Sequence, residues 1–149
     1  MRRYLLDTNQ LLHVADRPDL LTAAASAALA QADAILVSVV AAWEIEIKRR
    51  LTRADGTLKL EIHGPTVSLV RYTVEKGGVV LPLELDHVTV ELDVPCPNRD
   101  PFDRVLLQQA QSEGLKLLSS DTVLRDHPLV EFVGSGAPAG PFPRRASDS

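Results

Sequence analysis

Short apolar runs alternate with longer segments of helical character along most of the chain. Runs rich in Leu, Val and Ile predict five short strands, at residues 4–6, 35–37, 79–81, 115–118 and 130–133. The predicted helices between them cover residues 8–15, 20–32, 65–76, 86–92, 100–113 and 122–126, with one more after Ser38. This alternation predicts an α/β fold: a single domain with a central parallel β-sheet of about five short strands flanked by helices.

Capping residues fix several of these boundaries. Ser38 is a good N-cap, Asp100 precedes a proline suited to the first helical position, and Gly77 stops the helix before it. In the helix after Ser38, the i, i+4, i+8 spacing of Trp43, Ile47 and Leu51 predicts one apolar face, with Trp43 in the core.

Length and composition bound the function. The 149 residues predict one domain over residues 1–133 and a disordered Gly/Pro/Ser/Arg-rich tail over 134–149. The single cysteine, Cys96, excludes an internal disulfide and a cysteine-based zinc site, which is typical of a reducing, cytoplasmic location. No apolar stretch approaches the roughly 20 residues that span a bilayer, so we expect no membrane association.

Charge leaves the choice of partner open. The chain has 20 acidic and 16 basic residues, a net charge of −4. Without four acids that are candidate metal ligands, 20 − 4 leaves 16 acids against 16 bases. A local basic cluster, Lys48-Arg49-Arg50, favours phosphate binding as much as it favours a solvated helix face.

Those four acids are the most informative residues. Asp7 and Asp121 follow strands, Glu44 lies in the helix after the second strand, and Asp103 lies in a first helical turn. The carboxyl ends of parallel strands share one edge, where ligands bind in open α/β sheets. Carboxylates gathered there suit Mg²⁺ or Mn²⁺, which serve phosphoryl chemistry. The pattern predicts a metal-dependent nuclease.

Each acid also has a purely structural interpretation. Asp7 and Asp121 are good helix caps, and Glu44 can pair with Lys48 at i+4 on a helix surface. Asp103 lies three residues after Asp100, a spacing that resembles a capping box. The joint placement of the four favours the functional interpretation.

The motifs around these acids resemble those of the PIN domain, and specifically of VapC-type ribonuclease toxins of bacterial toxin–antitoxin pairs. The matching strings are Leu5-Leu6-Asp7-Thr8-Asn9, Trp43-Glu44-Ile45-Glu46-Ile47-Lys48, Arg99-Asp100-Pro101-Phe102-Asp103-Arg104 and Leu117-Leu118-Ser119-Ser120-Asp121. They come in the family's order and cover most of residues 4–133. The chain departs from the family's usual residues at Gln10, His13 and Asn98, which bears on substrate preference more than on activity.

The resemblance implies that Asp7, Glu44, Asp103 and Asp121 form an acidic quartet that holds one or two Mg²⁺ or Mn²⁺ ions. It places Ser119 near the last acid. It implies a small antitoxin partner that blocks the site, and often a homodimer.

The hypothesis that follows is hydrolysis of an RNA phosphodiester. Asp7, Asp103 and Asp121 would bind metal, with Glu44 either ligating it or orienting water. Thr8 and Asn9 fall in the first loop of this site. Lys48 and Arg104 are candidates to hold phosphate, although Arg104 more readily ties down a neighbouring carboxylate. Asn98 and Arg99 are candidates to touch bases, and a structured RNA with an unpaired loop is the expected target.

Three other interpretations compete. A PIN fold that acts only as a binding or scaffold module would keep the acids without cleaving RNA. A DNA-directed nuclease would share the carboxylate chemistry, but the short chain has no further DNA-gripping module. A haloacid-dehalogenase-type phosphatase requires a second Asp two residues after the first, where this chain has Asn9.

Overall fold

The computed structural model describes residues 1–134. The strands are β1 (Arg3–Leu6), β2 (Ala34–Ser38), β3 (Val79–Leu81), β4 (Lys116–Ser119) and β5 (Val130–Phe132). The helices are α1 (Thr8–Ala15), α2 (Ala23–Gln31), α3 (Val39–Lys48), α4 (Thr66–Glu75), α5 (Leu85–Thr89) and α6 (Pro101–Glu113). Two 3₁₀ turns cover Pro18–Leu20 and Thr122–Leu124.

The five strands form one parallel sheet in the order β3-β2-β1-β4-β5. The predicted α/β fold is confirmed. Strand order reverses beside β1, because β2 and β3 lie on one side of it and β4 and β5 on the other. In open α/β sheets a crevice forms at such a switch point, outside the carboxyl ends of the strands. The predicted 134–149 tail lies outside the described residues except for Gly134, and the predicted domain boundary stays a prediction.

Alternate residues of β1 enter different cores, as the period of two along a strand requires. Leu6 packs with residues of α1, α2 and α4, whereas Leu5 packs with Leu106 and Leu107 of α6. The sheet is therefore covered on both faces, which is why its strands have continuous apolar runs. No helix within residues 1–134 is long and apolar enough to cross a bilayer.

The predicted capping residues lie where expected. Ser38 Oγ accepts from the Val40 N–H at 3.0 Å, and Asp100 Oδ1 accepts from the Phe102 N–H at 2.9 Å. Gly114 ends α6 with φ +67°, a left-handed conformation that glycine adopts without strain. These local signals are why α6 lies within one residue of its predicted bounds.

Several predicted boundaries differ from those of the structure. α2 begins at Ala23 instead of Leu20, because Thr22 caps it by accepting from the Ala25 N–H at 3.0 Å. α5 ends at Thr89, and the next carbonyl, that of Val90, accepts from Gln108 Nε2 of α6. β4 is shifted by one residue to end at Ser119, and the predicted helix over 122–126 is a short 3₁₀ turn.

The prediction that Trp43 lies in the core is also wrong. Trp43 is 58% exposed, and Ile47 and Leu51 are exposed as well. α3 instead buries the stripe that contains Ala41, Glu44 and Ile45. The Trp43 ring meets Phe102 of α6 edge to face, with 5.3 Å between ring centroids. Helical spacing identified an apolar face but not which face the sheet covers.

Candidate active site

The carboxyl ends of three strands meet in register at the switch point. Leu6 is paired with Val37 of β2 and Leu118 of β4, and the Asp7 N–H donates to the Leu118 carbonyl at 3.1 Å. The residues that follow these strands therefore emerge side by side. This geometry explains the positions of three of the four predicted acids: Asp7 follows β1, Glu44 lies in the helix after β2, and Asp121 follows β4.

Asp7 and Glu44 are the two most deeply buried of the four acids. Asp7 is 5% exposed and caps α1, since its Oδ1 accepts from the Gln10 N–H at 2.8 Å. Burial raises the pKa of Asp7 to about 7. The Ser119 hydroxyl and the Gln10 N–H act in the opposite direction, and the charges of Asp103 and Glu44 raise the pKa further. Asp7 thus caps a helix and also lies among other acids.

Glu44 is 3% exposed, so it is not a surface residue of α3. The Thr8 hydroxyl donates to its Oε1 at 2.5 Å, and Lys48 Nζ forms an ion pair with its Oε2. The i, i+4 pair that competed with the functional interpretation is therefore present, but it reaches a buried carboxylate. Thr8 and Lys48 together fix the orientation of this group.

Asp103 projects from the first turn of α6, because Asp100 takes the capping position. Asn98 Nδ2 donates to Asp103 Oδ2 at 2.8 Å. Burial raises the pKa of Asp103 to about 6; the Asn98 hydrogen bond opposes the rise, and the charges of Asp100, Glu44 and Asp121 add to it. Asp103 therefore interacts electrostatically with acids from two other elements.

Asp121 lies at the partly exposed side of the group. Its Oδ1 accepts from the Val123 N–H at 2.9 Å, so it caps the 3₁₀ turn, and its own N–H donates to Ser119 Oγ at 3.1 Å. Ser119 is fully buried and also interacts with Asp7. The serine thus links the first and last acids of the predicted quartet.

The four acids have the chemistry of a hard-cation site without being a preformed cage. Within residues 1–134, no three His, Cys, Asp or Glu side chains are gathered tightly enough to hold a metal ion as they stand. The donors are all carboxylate oxygens, which Mg²⁺ and Mn²⁺ prefer. Mutual repulsion and burial raise the pKa of Asp7 and Asp103, and a bound cation would relieve both effects. The residues present therefore fit a divalent cation.

The remaining predicted site residues divide into two groups. Thr8, Lys48, Asn98 and Ser119 contact one of the four acids directly. Asn9, Arg99 and Arg104 are exposed and do not. Arg104 forms no ion pair within residues 1–134, so the expectation that it ties down a carboxylate is wrong. Arg104 instead lines a groove of about 520 Å³ together with Asn98 and Arg99.

Sequence reasoning missed Gln10 as part of this site. The residue is 1% exposed; besides its backbone bond to Asp7, its Nε2 donates to Ser120 Oγ at 3.1 Å, while its Oε1 has no partner within the described chain. Gln10 thus joins the loops that carry Asp7 and Asp121. Its position three residues after an N-cap was a visible signal, but the partner Ser120 is 110 residues away.

Comparison with known proteins adds a family and a fold. The family model described as PIN domain matches residues 4–128. No curated protein matches the chain closely. Among solved structures, the chain is similar to one in the crystal structure of VapBC2 from Rickettsia felis bound to a DNA fragment from their promoter. The TM-score is 0.54 at 12% sequence identity, over 87% of this chain and 96% of that one.

Proposed function

The chain belongs to the PIN domain family, and from this premise we propose that it is a metal-dependent endoribonuclease and the toxin of a toxin–antitoxin pair. The observation that carries the proposal is the crowding of acids at the switch point of the sheet: burial raises the pKa of Asp7 and of Asp103, the charges of Asp103 and Glu44 raise that of Asp7 further, and the charge of Glu44 raises that of Asp103 further. Strongly perturbed carboxyl groups in a crevice are characteristic of functional sites.

The proposed division of labour follows from the contacts of each acid. Asp7, Asp103 and Asp121 would hold Mg²⁺ or Mn²⁺, and Glu44 would either join them or orient the attacking water. A divalent cation supplies a lowered pKa for water and neutralises charge on the phosphate. Thr8 and Lys48 hold Glu44 in one orientation, and Asn98 does the same for Asp103. Such positioning is worth a large part of a catalytic barrier.

RNA is the proposed substrate because exposed donors and cations border the acids. Arg99 and Arg104 lie at the groove beside Asn98, and neither is neutralised by an ion pair within residues 1–134. Cations so placed would hold backbone phosphate, and Asn98 would reach a base edge. Sequence-specific RNA recognition targets unpaired bases, so a structured RNA with an unpaired loop is the proposed target.

The proposed partner is a cognate antitoxin. Support comes from the likeness in fold to a chain of VapBC2, together with the sequence motifs shared with VapC-type toxins. A homodimer and a cytoplasmic location are part of the same proposal and stay predictions.

A catalytically silent PIN module is the alternative, and one observation favours it. The Lys48 ion pair already neutralises Glu44, which leaves fewer free charges to attract a cation. The alternative predicts a protein that binds partners without cleaving nucleic acid.

The deciding experiment is cleavage of total RNA by the purified full chain with Mg²⁺ or Mn²⁺, beside EDTA and an Asp7→Asn variant. Asparagine still caps α1, so the variant should fold. We expect discrete fragments from the wild type alone, abolished by EDTA. Equal cleavage by both proteins, or none by the wild type despite clear metal binding, would contradict the proposal; cleavage of DNA in place of RNA would contradict its substrate.

A further inference from the structure

A second groove, of about 410 Å³, shares no lining residue with the one lined by Asn98 and Arg104. We call it the Lys59 groove; it is lined by Thr8, Asn9, Leu12, Lys48, Leu51, Lys59 and Leu60. Thr8 and Lys48 are the two residues that contact Glu44. The groove therefore opens directly beside a candidate catalytic acid.

A folded-back segment after α3 builds the outer wall of this groove. Thr52 and Leu58 form an isolated antiparallel bridge across a turn at Gly56, whose φ is +86°. The Lys59 N–H then donates to the Leu51 carbonyl at 3.1 Å. The backbone thus holds Lys59 and Leu60 against the end of α3.

The charges of the groove favour an anion. Lys48 is committed to Glu44, but Lys59 forms no ion pair with any residue in 1–134. The exposed Lys59 ammonium makes no ion pair within the described chain to offset its charge, so it is available to an anion in the groove. Held beside a candidate phosphodiesterase site, it has the charge and reach to contact a phosphate that neighbours the cleaved one.

Most of the lining surface is apolar, although Thr8 and Asn9 also line the groove. Leu12, Leu51 and Leu60 contribute aliphatic surface to the groove that Lys59 also lines, and Leu51 is 43% exposed. A cleft of a few hundred Å³ with an apolar lining and few polar groups is typical of a site for a small ligand or a single residue of a polymer. A nucleotide has matching parts, a flat base with little charge and one phosphate.

We propose that the Lys59 groove binds one nucleotide of an RNA strand, next to the phosphodiester that is cleaved. Lys59 contacts the phosphate, and the leucines cover the base. This inference rests on the proposed function. It adds that the strand lies on the side of the acids where Thr8 and Lys48 contact Glu44.

The test is RNA binding as a function of salt, with the full chain in EDTA so that the strand is not cut. The probe is a fluorescently labelled single-stranded RNA of mixed sequence. Lys59→Gln should weaken binding at least threefold at low salt and reduce the slope of log K against log salt by about 0.7, the value for one phosphate contact on a single strand. Leu51→Ala should weaken binding without changing that slope.

Lys76→Gln is the matched control. α4 ends at Glu75 just before β3 starts, so Lys76 lies at the amino end of the sheet, away from the site. It should bind RNA like the wild type. If Lys59→Gln behaves like Lys76→Gln while the wild type binds and cleaves RNA, the groove proposal is overturned and the proposed function stands; the groove would then be left to another occupant, such as an antitoxin segment. If the wild type neither binds nor cleaves RNA, both fail together.

Discussion

Two buried polar regions of this molecule differ in how their groups are partnered. In the His87 cluster (Ser38, His87, Gln109 and Glu113), His87 Nδ1 accepts from the Glu84 N–H at 2.9 Å and His87 Nε2 donates to Glu113 Oε1 at 2.8 Å. Gln109 accepts from the Ser38 hydroxyl at 2.5 Å and donates to the Pro82 carbonyl at 3.2 Å. Donors meet acceptors throughout, so the cluster needs no ligand.

The acidic edge has the opposite character. Asp7, Asp103 and Asp121 are acceptors with like charges. Their hydrogen bonds from Gln10, Asn98 and Val123 do not offset burial and the neighbouring charges, since the pKa of Asp7 and of Asp103 stays raised. Burial of like charges costs folding free energy. A polar network whose donors and acceptors are all partnered indicates a structural role. A group of buried like charges indicates a site where a ligand binds.

The largest expected effect is on the stability of the complete network. His87→Ala removes a side chain that is 1% exposed, leaves the Glu84 N–H without its acceptor and takes the His87 contact from Glu113. We expect the free energy of unfolding to fall by about 3 kcal/mol, measured by urea denaturation. His63→Ala, at a largely exposed histidine, is the control and should cost under about 1 kcal/mol.

The cleavage rate per folded His87→Ala molecule should equal that of the wild type, because the cluster supplies no group to the acidic edge. A stable variant that had lost cleavage would break the comparison, since the His87 cluster would then belong to the site.

The two regions also differ in how far the sequence predicts them. The acidic residues could be located because each sits beside a local signal, a strand end or a cap, and parallel strands bring such ends to one edge. The His87 cluster had no such signal: Ser38, His87 and Gln109 come from three distant segments, and their hydrogen bonds exist only after α6 packs against α5. The exposure of Trp43 and the Gln10–Ser120 contact were missed for the same reason: tertiary packing, and not local sequence, decides which element covers a side chain.

The second prediction concerns pH without metal. The pKa of Asp7 is about 7 in the folded protein against an ordinary value of 3.8, so between these values the folded state holds a proton that the unfolded chain releases. Stability in EDTA should therefore fall as the pH rises through this window, by about 2 kcal/mol from pH 5 to pH 8. Asp103, with a pKa of about 6, adds to the fall in the same direction.

The variant Asp7→Asn isolates this contribution, because the histidines titrate equally in both proteins. The variant should be more stable than the wild type at pH 8 and lose most of that advantage at pH 5. Parallel stability curves for the two proteins would show that Asp7 is not strained.

The third prediction is that Mg²⁺ or Mn²⁺ relieves the strain. At a metal concentration tenfold above the dissociation constant, the wild type should gain about 1.4 kcal/mol at pH 8, measured as a rise in melting temperature. The gain should be smaller at pH 5, where protons compete for the same carboxylates. Asp103→Asn is the comparison protein and should gain less at both pH values; an equal gain would place the metal elsewhere.

The smallest expected effect tests Glu44, the one acid that has a cation of its own. Two i, i+4 pairs begin on α3: Lys48 pairs with Glu44, whose side chain is 4% exposed, and Arg50, two residues past the helix end, pairs with Glu46, whose side chain is 37% exposed. Lys48→Met leaves a buried carboxylate unpaired and should cost about 1 kcal/mol, discounted because Lys48 itself is half exposed. Arg50→Met should cost under about 0.5 kcal/mol. Denaturation of both variants in EDTA, and then with Mg²⁺, tests whether the lysine and a metal compete for Glu44. If Mg²⁺ raises the free energy of unfolding more in Lys48→Met than in Arg50→Met, they compete. If it raises both equally, Glu44 belongs with the partnered groups and not with the metal ligands.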